Sequence, residues 1–354
     1  MIKLLSEYTP EDKNRIKEIA REFSLYDKTA EIIYSRGYRD YDDVETFLSP
    51  SKDRFINPFL LEGMSETVER IKEAAENGET VVVYGDYDVD GVSATAILTL
   101  ALKEFGLTVV PFVPERADGY GLSVANIDKI FDEYFPDLVI TVDCGISGAK
   151  EVEYIKDLGA DVIVTDHHEL PPELPDCTIV NCKIKSEYGF QYLCGAGVAY
   201  KLACALIGKK AERYIDLTAI ATVADSMPLI GENRDIVYEG VKYIKSGRSS
   251  VAVNAIIEVA GIKEISSGSL AFSVAPRINA AGRMGNARLA LELMLTSDEY
   301  LARKYAEQLN NFNLQRQQDC DLLYRSARKK LIDDAFDKKI IVLDDDGWNG
   351  GLVG

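Results

Sequence analysis

Three short runs of apolar residues stand out along the chain because polar residues do not alternate within them. They lie in "ETVVVYGD" from residue 79, "DLVITVDCG" from residue 137 and "ADVIVTDHHE" from residue 160, and each is rich in valine or isoleucine. Strands buried on both faces have this composition, and they occur in parallel sheets that helices cover. Segments between them, such as "GAKEVEYIKDLG", suit crossover helices. The pattern predicts an α/β fold, a mostly parallel sheet flanked by helices.

The last part of the chain has a different pattern. Residues 298–332 contain no proline or glycine and consist largely of helix formers, which predicts one long helix or a broken pair that links domains. The apolar run Ile340–Leu343 then predicts a new strand that has nothing to pack on before the chain ends. We therefore expect a helical lead-in (1–72), an α/β domain with helical insertions (73–298), a linking helix (299–334) and a truncated second α/β domain (335–354). On this basis we also expect the chain to be a fragment or an early-terminated variant.

Composition sets the broad class of the protein. Hydrophobic residues make up 47% and charged residues 28% of 354 residues, which is the balance of a soluble globular protein. No apolar run reaches the roughly 18 residues of a membrane span, and the amino terminus becomes charged too early for a secretory signal peptide. Six cysteines are scattered without a CxxC pair, so we expect reduced thiols and a cytoplasmic location.

The net charge of −18 restricts the possible partners. A protein that holds nucleic acid by charge alone is usually basic, because phosphate contacts are its main source of affinity. Any contact with nucleic acid must therefore come from local basic clusters. Part of the acidic charge is free to hold cations, and the rest is solubilising surface.

Each of the three apolar runs ends in acid. The first leads into "YGDYDVDG", the second ends at one aspartate, and the third ends at an aspartate followed by the only two histidines of the chain; the residues are Asp86, Asp88, Asp90, Asp143, Asp166, His167 and His168. In open parallel sheets, ligands bind outside the carboxyl ends of the strands, so these side chains should meet in one crevice. A single terminal aspartate is more often a turn or cap residue. Three such ends together favour a metal site.

The spacing of the first three acids also resembles the start of a calcium-binding EF-hand loop. The twelfth place, which needs a bidentate glutamate, is Ile97, and a strand rather than a helix precedes the loop. The sequence therefore argues against calcium.

Mixed carboxylate and imidazole ligands suit Mn²⁺, with Mg²⁺ as the second choice, whereas structural zinc would need closely spaced thiolates. The ligands exceed the needs of one ion. Two ions about 3.5–4 Å apart, bridged by a carboxylate, would use them all and would serve phosphoester hydrolysis. Asp225 ends a helix-like apolar run just before Pro228, where it is either a cap or a further ligand.

Seven segments, taken in order, resemble the DHH phosphoesterase superfamily and, within it, the RecJ family of single-strand-specific 5′→3′ DNA exonucleases. They are "VVVYGDYDVDGVSATAIL", "PERADGYGLS", "TVDCGIS", "VIVTDHHE", "GAGVAYKL", "TVADSMPLIGENR" and "APRINAAGRMG". The resemblance covers nearly the whole chain. It implies a nuclease that binds single-stranded DNA in repair and recombination, a DHH catalytic domain over 73–298, and a DHHA1 domain that begins at residue 335. The sequence departs from the family at Asn349, where histidine is usual.

The resemblance also implies roles for single residues. The implied metal ligands are Asp86, Asp88, Asp90, Asp143, His167 and Asp225, with Asp143 as the bridge. Asp166 and His168 are implied to be catalytic, with His168 close to the metals and the scissile phosphate. The implied substrate contacts are Arg116 at the 5′ end and Arg277, Asn279 and Arg283 at phosphate, in agreement with the fit of guanidinium groups to phosphate oxygens.

Two other functions stay open. One is a DHH phosphoesterase acting on small substrates such as pyrophosphate, oligoribonucleotides or cyclic dinucleotides. The other is a scaffold without catalysis in a replication assembly, which should have lost its ligands. The intact ligand set and the "RINAAGR" and "ENR" segments favour the exonuclease. We expect a monomer, with a single-strand-binding protein or a helicase as a further partner.

Overall fold

A five-stranded parallel sheet forms the centre of the molecule in the computed structural model, which describes residues 8–331 and 339–348. The strands are β1 (Thr80–Tyr84), β2 (Thr108–Phe112), β3 (Leu138–Val142), β4 (Asp161–Asp166) and β5 (Thr178–Asn181). Their order is β2-β1-β3-β4-β5, and every pair is parallel. The predicted α/β class and the three predicted strands, β1, β3 and β4, are confirmed.

The sequence analysis did not identify β2 and β5. Both are edge strands, and β2 contains Pro111, which has no backbone N–H to donate to a neighbour. Proline occurs in sheets mainly on such edges, where one side of the strand needs no partner. The pattern of a fully buried strand is therefore weaker here.

The described residues also form fifteen α-helices. The first eight are α1 (Pro10–Glu22), α2 (Asp27–Ser35), α3 (Tyr41–Leu48), α4 (Met64–Asn77), α5 (Val89–Phe105), α6 (Val124–Tyr134), α7 (Ala149–Asp157) and α8 (Gly195–Ile207). The others are α9 (Ile215–Ala224), α10 (Gly231–Lys245), α11 (Val251–Val259), the single turn α12 (Ser267–Ser269), α13 (Ala275–Arg283), α14 (Ala287–Leu295) and α15 (Glu299–Lys329). A π-helical turn, Leu270–Val274, joins α12 to α13.

Helices cover both faces of the sheet, which explains the continuous apolar strands. Along β1, Val81 and Val83 pack into the larger core with α4, α5 and α8, whereas Val82 and Tyr84 pack into a second core with α6 and α7. Successive side chains of a strand point to opposite faces, so a strand covered on both sides needs apolar residues at every position.

The amino-terminal helices divide between two cores. Helices α1 to α3 enclose a small core of their own, which includes Ile19, Ile33 and Val44. Helix α4 instead packs into the main core through residues such as Met64 and Ile71. Residue 72 lies within α4, so part of the lead-in packs directly on the sheet. The domain boundaries stay a prediction.

Helix α15 is one continuous helix of 31 residues, and it packs against α11, α13 and α14. Its inner face buries Ala302, Ala306 and Leu309, whereas Leu322 and Tyr324 near its carboxyl end are exposed. A single long helix was one of the two predicted forms. Its first half belongs to the packed body of the molecule.

The prediction of a strand at Ile340–Leu343 is wrong. Within residues 339–348 the structure forms no strand, and Ile340 is 78% and Val342 is 85% exposed. A strand needs a partner for its backbone groups, and the described residues provide none here. Residues 335–338 and 349–354 of the predicted second domain, including Asn349, lie outside the described residues. Among the helices of the described residues, none has both the length and the apolar character needed to cross a membrane.

Candidate metal centre

The loop between β1 and α5 carries the three spaced acids. Asp88 caps α5, because its Oδ1 accepts hydrogen bonds from the backbone N of Asp90 at 2.8 Å and of Gly91 at 3.1 Å. A side chain at Gly91 would lie 2.5 Å from the backbone oxygen of Asp86, so glycine lets the helix start tightly against the loop. The loop thereby places its carboxylates at the carboxyl edge of the sheet.

Asp90 is buried and is held by the amino-terminal end of α8. Its two carboxylate oxygens accept hydrogen bonds from the backbone N of Gly195 at 2.6 Å and of Ala196 at 2.7 Å. The first amides of a helix have no partner inside the helix and favour a negative charge. The start of α8 therefore fixes the orientation of the Asp90 carboxylate.

Asp143 follows β3 directly and lies at the centre of the cluster. Its backbone has φ of 59°, a left-handed conformation that aspartate tolerates better than most residues. Its Oδ1 lies 3.1 Å from Nε2 of His167, which is also 3.7 Å from Asp90 Oδ2 and 3.8 Å from Asp225 Oδ2. Asp225 directly follows α9, as predicted, and its carboxylate faces the same histidine. The ends of β1, β3, β4 and α9 thus meet at one place.

The described residues contain three overlapping groups of possible metal ligands. Within each group, one ligand atom from each residue lies within 4.8 Å of the others. The groups are Asp86, Asp88 and Asp143; Asp90, His167 and Asp225; and Asp143, His167 and His168. Asp143 takes part in the first and third groups, and its Oδ1 contacts the His167 ring of the second. Two neighbouring cations that share one carboxylate need ligand groups that overlap in this way. The assignment of Asp143 as the shared ligand stays a prediction.

The acids of the cluster lie close to one another and away from solvent, which raises the pKa values of several of them. Burial, reinforced by the Asp88 carboxylate, raises the pKa of Asp86 to about 7. Burial, reinforced by Asp90 and Asp88, raises the pKa of Asp225 to about 7. Burial and the surrounding carboxylates also raise the pKa of Asp143 well above its usual range. Within the described part of the chain, no group donates a hydrogen bond to the buried Oδ1 of Asp86. These carboxylate oxygens are therefore suitable ligands for divalent cations.

Asp166 has a different role from the other acids. Its Oδ1 accepts from the backbone N of His167 at 2.7 Å and contacts Nδ1 of His168 at 2.7 Å, while its Oδ2 accepts from the backbone N of Ile146 at 3.0 Å. Burial alone would raise the pKa of Asp166, but these hydrogen bonds lower it overall. The same contact raises the pKa of His168. Asp166 therefore orients His168 and stabilises its positive charge.

Tyr120 is a neighbour of His168 that the sequence analysis missed. Its hydroxyl donates to the backbone oxygen of Asp143 at 3.0 Å and lies 3.1 Å from Nδ1 of His168. Gly119 and Gly121, with φ of 91° and 81°, flank it in the loop after β2. The signal for Tyr120 in the sequence is "DGYG", where two glycines flank a tyrosine within the segment that also carries Arg116.

A cleft of about 210 Å³ opens beside the cluster. Its lining residues are Asp86, Tyr87, Asp88, Arg116, Tyr120, Asn279, Gly282 and Arg283. The Arg116 guanidinium lies over the Tyr87 ring at 5.5 Å. Burial, followed by the positive charge of Arg116, lowers the pKa of Arg283. Asn279 Oδ1 accepts from the backbone N of Val89 at 3.2 Å, which ties α13 to the start of α5. Three of the four predicted substrate contacts thus line one cleft.

Arg277 lies apart from this cleft. Its Nε donates to Asn310 Oδ1 at 3.0 Å and its Nη1 donates to the backbone oxygen of Ser273 at 2.5 Å, so its guanidinium faces α15 and the π-helical turn. Direct contact of Arg277 with a substrate stays a prediction.

Comparison with known proteins identifies the family. The DHH family, N-terminal domain, matches residues 80–224. A crystal structure of exonuclease RecJ bound to manganese is 35% identical in sequence, with a TM-score of 0.75 over 82% of this chain and 75% of that chain. The chain belongs to the RecJ family.

Other RecJ proteins extend the similarity. The single-stranded-DNA-specific exonuclease RecJ of Bacillus subtilis (strain 168) is 35% identical over 97% of this chain and 44% of that protein. RecJ from Thermus thermophilus in complex with Mn²⁺ is 31% identical, with a TM-score of 0.80 over 93% of this chain and 48% of that chain. The chain thus spans about half the length of the curated relatives it matches.

Proposed function

We propose that the protein is a divalent-cation-dependent phosphodiesterase that degrades single-stranded DNA from the 5′ end, in repair and recombination. The observation that carries the proposal is the place of Asp143, whose carboxylate belongs to one ligand group with Asp86 and Asp88 and contacts the His167 of the other. RecJ relatives bear the name single-stranded-DNA-specific exonuclease, and RecJ structures contain Mn²⁺ or Mg²⁺. We propose two cations per chain, with Mn²⁺ preferred over Mg²⁺.

We propose separate tasks for the protein's own groups. Arg116 and Arg283 offer guanidinium groups to the phosphate oxygens of the strand at the cleft. Asp166 holds the proton of His168 at Nδ1, so that the charged ring stabilises negative charge at the scissile phosphate. Tyr120 limits the movement of that ring. Bound divalent cations, held by the six predicted ligands, would supply Lewis acidity toward water and phosphate oxygens.

Cleavage of end-labelled single strands with Mn²⁺ tests the proposal. A 5′-labelled strand should release its label at once as a mononucleotide, whereas a 3′-labelled strand should shorten progressively. The reverse pattern would contradict the polarity, and turnover of dinucleotides or pyrophosphate without cleavage of longer strands would favour the small-substrate phosphoesterase. Failure both to bind cations and to hydrolyse any of these substrates would favour the scaffold.

The acidity of the cluster predicts that cation binding depends on pH. Asp86 and Asp225 both have a pKa of about 7, so below pH 7 a cation must displace protons from them. Mn²⁺ affinity should rise between pH 6 and pH 8, by up to about tenfold per pH unit for each displaced proton. Calorimetry in buffers of different ionisation enthalpy would measure the released protons. An affinity independent of pH would contradict the prediction.

Stability without cations should show the opposite trend. These carboxyl groups bind protons more tightly in the folded than in the unfolded chain, so their contribution is present near pH 4 and is lost as pH rises through about 7. In a chelator, Tm should fall as pH rises from 5 to 8, and Mn²⁺ should raise Tm more at pH 8 than at pH 6. Asp86→Asn, which removes one titrating group, should flatten both trends.

Arginine variants test the cleft as a phosphate site. Arg283→Ala should weaken binding of a phosphorothioate single strand, and each lost phosphate contact should reduce the salt slope of log Kd by about 0.7. Mn²⁺ affinity should change little. Arg277→Ala is the matched comparison from the same helix. An equal reduction of the salt slope would mean that Arg277 contacts the DNA. A lower Tm with an unchanged salt slope would mean that Arg277 holds α15 in place. An unchanged slope in Arg283→Ala would remove Arg283 from the substrate site.

The remaining parts of the proposal do not depend on the geometry of the site. We propose that the chain acts as a monomer on strands supplied by a single-strand-binding protein or a helicase, and, from its scattered cysteines, that it acts in the cytoplasm. Light scattering of the free protein would test the monomer, and co-elution would test the partner.

A further inference from the structure

Four consecutive residues at the start of α10 fasten other segments of the chain through hydrogen bonds. Glu232 binds the buried Lys201 and Tyr188, and Arg234 donates to the backbone oxygen of Phe47 at 2.6 Å. The other two members are Asn233 and Asp235. Three of the four residues are buried, with exposures of 0 to 3%. The cation centre described above uses none of these four side chains.

Asn233 is the member that connects to the centre. Its Nδ2 donates both of its hydrogens, one to the backbone oxygen of Pro228 at 3.2 Å and one to the backbone oxygen of Tyr192. Both neighbours are carbonyl oxygens, which can only accept hydrogen bonds. The amide nitrogen of Asn233, and not its oxygen, must therefore face them, which fixes the orientation of the side chain. The side chain is fully buried, so removing its amide would take a hydrogen-bond donor away from two carbonyl oxygens in the interior of the protein.

The two segments that Asn233 joins both lead to ligands of the same group. Pro228 lies in the turn that follows Asp225, where Ser226 has a left-handed backbone with φ of 58°. Tyr192 lies three residues before Gly195, whose amide holds the carboxylate of Asp90. Asp90 and Asp225 belong to the ligand group completed by His167.

We propose that Asn233 is a positioning residue for the cation site formed by Asp90, His167 and Asp225, and that it acts on this site rather than on the one formed by Asp86, Asp88 and Asp143. The inference rests on the proposed two-cation function. Asn233 holds the Asp225 turn at a fixed distance from the start of α8, so the two carboxylates keep the spacing that one ion requires. The ligands of the other site come from the β1 and β3 loops, which Asn233 does not contact.

Asp235 provides a matched control from the same turn of α10. It is 2% exposed, and it binds the backbone N of Ser51 at 2.9 Å and the guanidinium of Arg54. These contacts fasten the amino-terminal segment and not the Asp225 turn. Asp235→Asn should therefore lower Tm without changing either cation site.

Calorimetric titration with Mn²⁺ tests the proposal, with catalysis playing no part in the readout. Asp225→Asn identifies which of two binding steps belongs to the Asp90, His167 and Asp225 site. Asn233→Ala should weaken that step about 10–100-fold, the usual effect of losing a group that orients a metal ligand. The other step should stay within threefold of the wild-type value, and Asp235→Asn should leave both steps within threefold.

Equal weakening of both steps in Asn233→Ala, no change in either, or the same selective loss in Asp235→Asn would overturn the proposal. If Asn233→Ala does not fold, Asn233→Leu, which fills the space without a donor, is judged by the same criteria. If the wild-type protein does not bind Mn²⁺ in two steps, the proposed two-cation function itself is wrong. If the wild-type protein shows two steps but a variant gives one of the results above, only the proposed role of Asn233 is wrong.

Discussion

Asp143→Ala should abolish metal-dependent cleavage, lowering kcat by about 10⁴-fold or more, as when a catalytic unit loses an essential member. Asp143 is the carboxylate that joins one ligand group and contacts the histidine of the other, so its loss should affect both proposed cation sites. The fold should persist, because removing an acid with a strongly raised pKa relieves repulsion among neighbouring carboxylates. Single-turnover cleavage and Mn²⁺ titration would measure the two losses.

Glu169→Gln is the control for this variant. Glu169 directly follows the two histidines, but its side chain is 85% exposed and pairs with Lys183 at 2.8 Å. Such a surface pair contributes little, so activity and cation binding should match the wild type. An Asp143→Ala protein that still binds two cations and cleaves DNA would contradict the shared-carboxylate arrangement.

Gly195→Ala should cost at least about 100-fold in Mn²⁺ affinity, although it adds only one methyl group far along the chain from the aspartates. A Cβ at this position would lie 2.4 Å from both Cβ and Oδ1 of Asp143. Either Asp143 moves, or α8 withdraws and releases the carboxylate of Asp90, so one ligand is displaced in both cases. Unfolding free energy should also fall, by about 1–3 kcal/mol for overpacking.

Gly197→Ala, two residues further along α8, separates this effect from a general weakening of the helix. A Cβ there would meet the side chain of Leu193 at 3.3 Å, a contact that a small shift can relieve. Gly197→Ala should therefore lower Tm modestly and leave Mn²⁺ affinity unchanged. Wild-type affinity in Gly195→Ala would show that α8 does not determine the geometry of the centre.

The clustering of these acids could be predicted from the sequence because the residues follow the ends of buried parallel strands. Asp86 and its neighbours follow β1, Asp143 follows β3, and Asp166 ends β4. The carboxyl ends of neighbouring parallel strands share one edge, so the strand pattern alone brings these residues together. The strand order and the two edge strands could not be predicted in this way, because β2 contains Pro111 and β5 has only four residues.

Residues that act through tertiary contacts could not be predicted in the same way. Gly195 lies in an apolar helix, where a glycine is typical of ordinary helix packing, and only the fold shows its contact with Asp143. Asn233 lies near the start of a helix, and its partners are backbone oxygens of other segments. The strand predicted at Ile340–Leu343 failed for a related reason, since apolar pattern does not form a strand without a partner.

Anomalous diffraction from a crystal of the protein soaked in Mn²⁺ would show directly whether two cations share Asp143. We expect two manganese peaks about 3.5–4 Å apart, both within ligand distance of the Asp143 carboxylate. One peak should also contact Asp86 and Asp88, and the other should contact His167 and Asp225. A single peak, or two peaks that do not share Asp143, would contradict the two-cation centre.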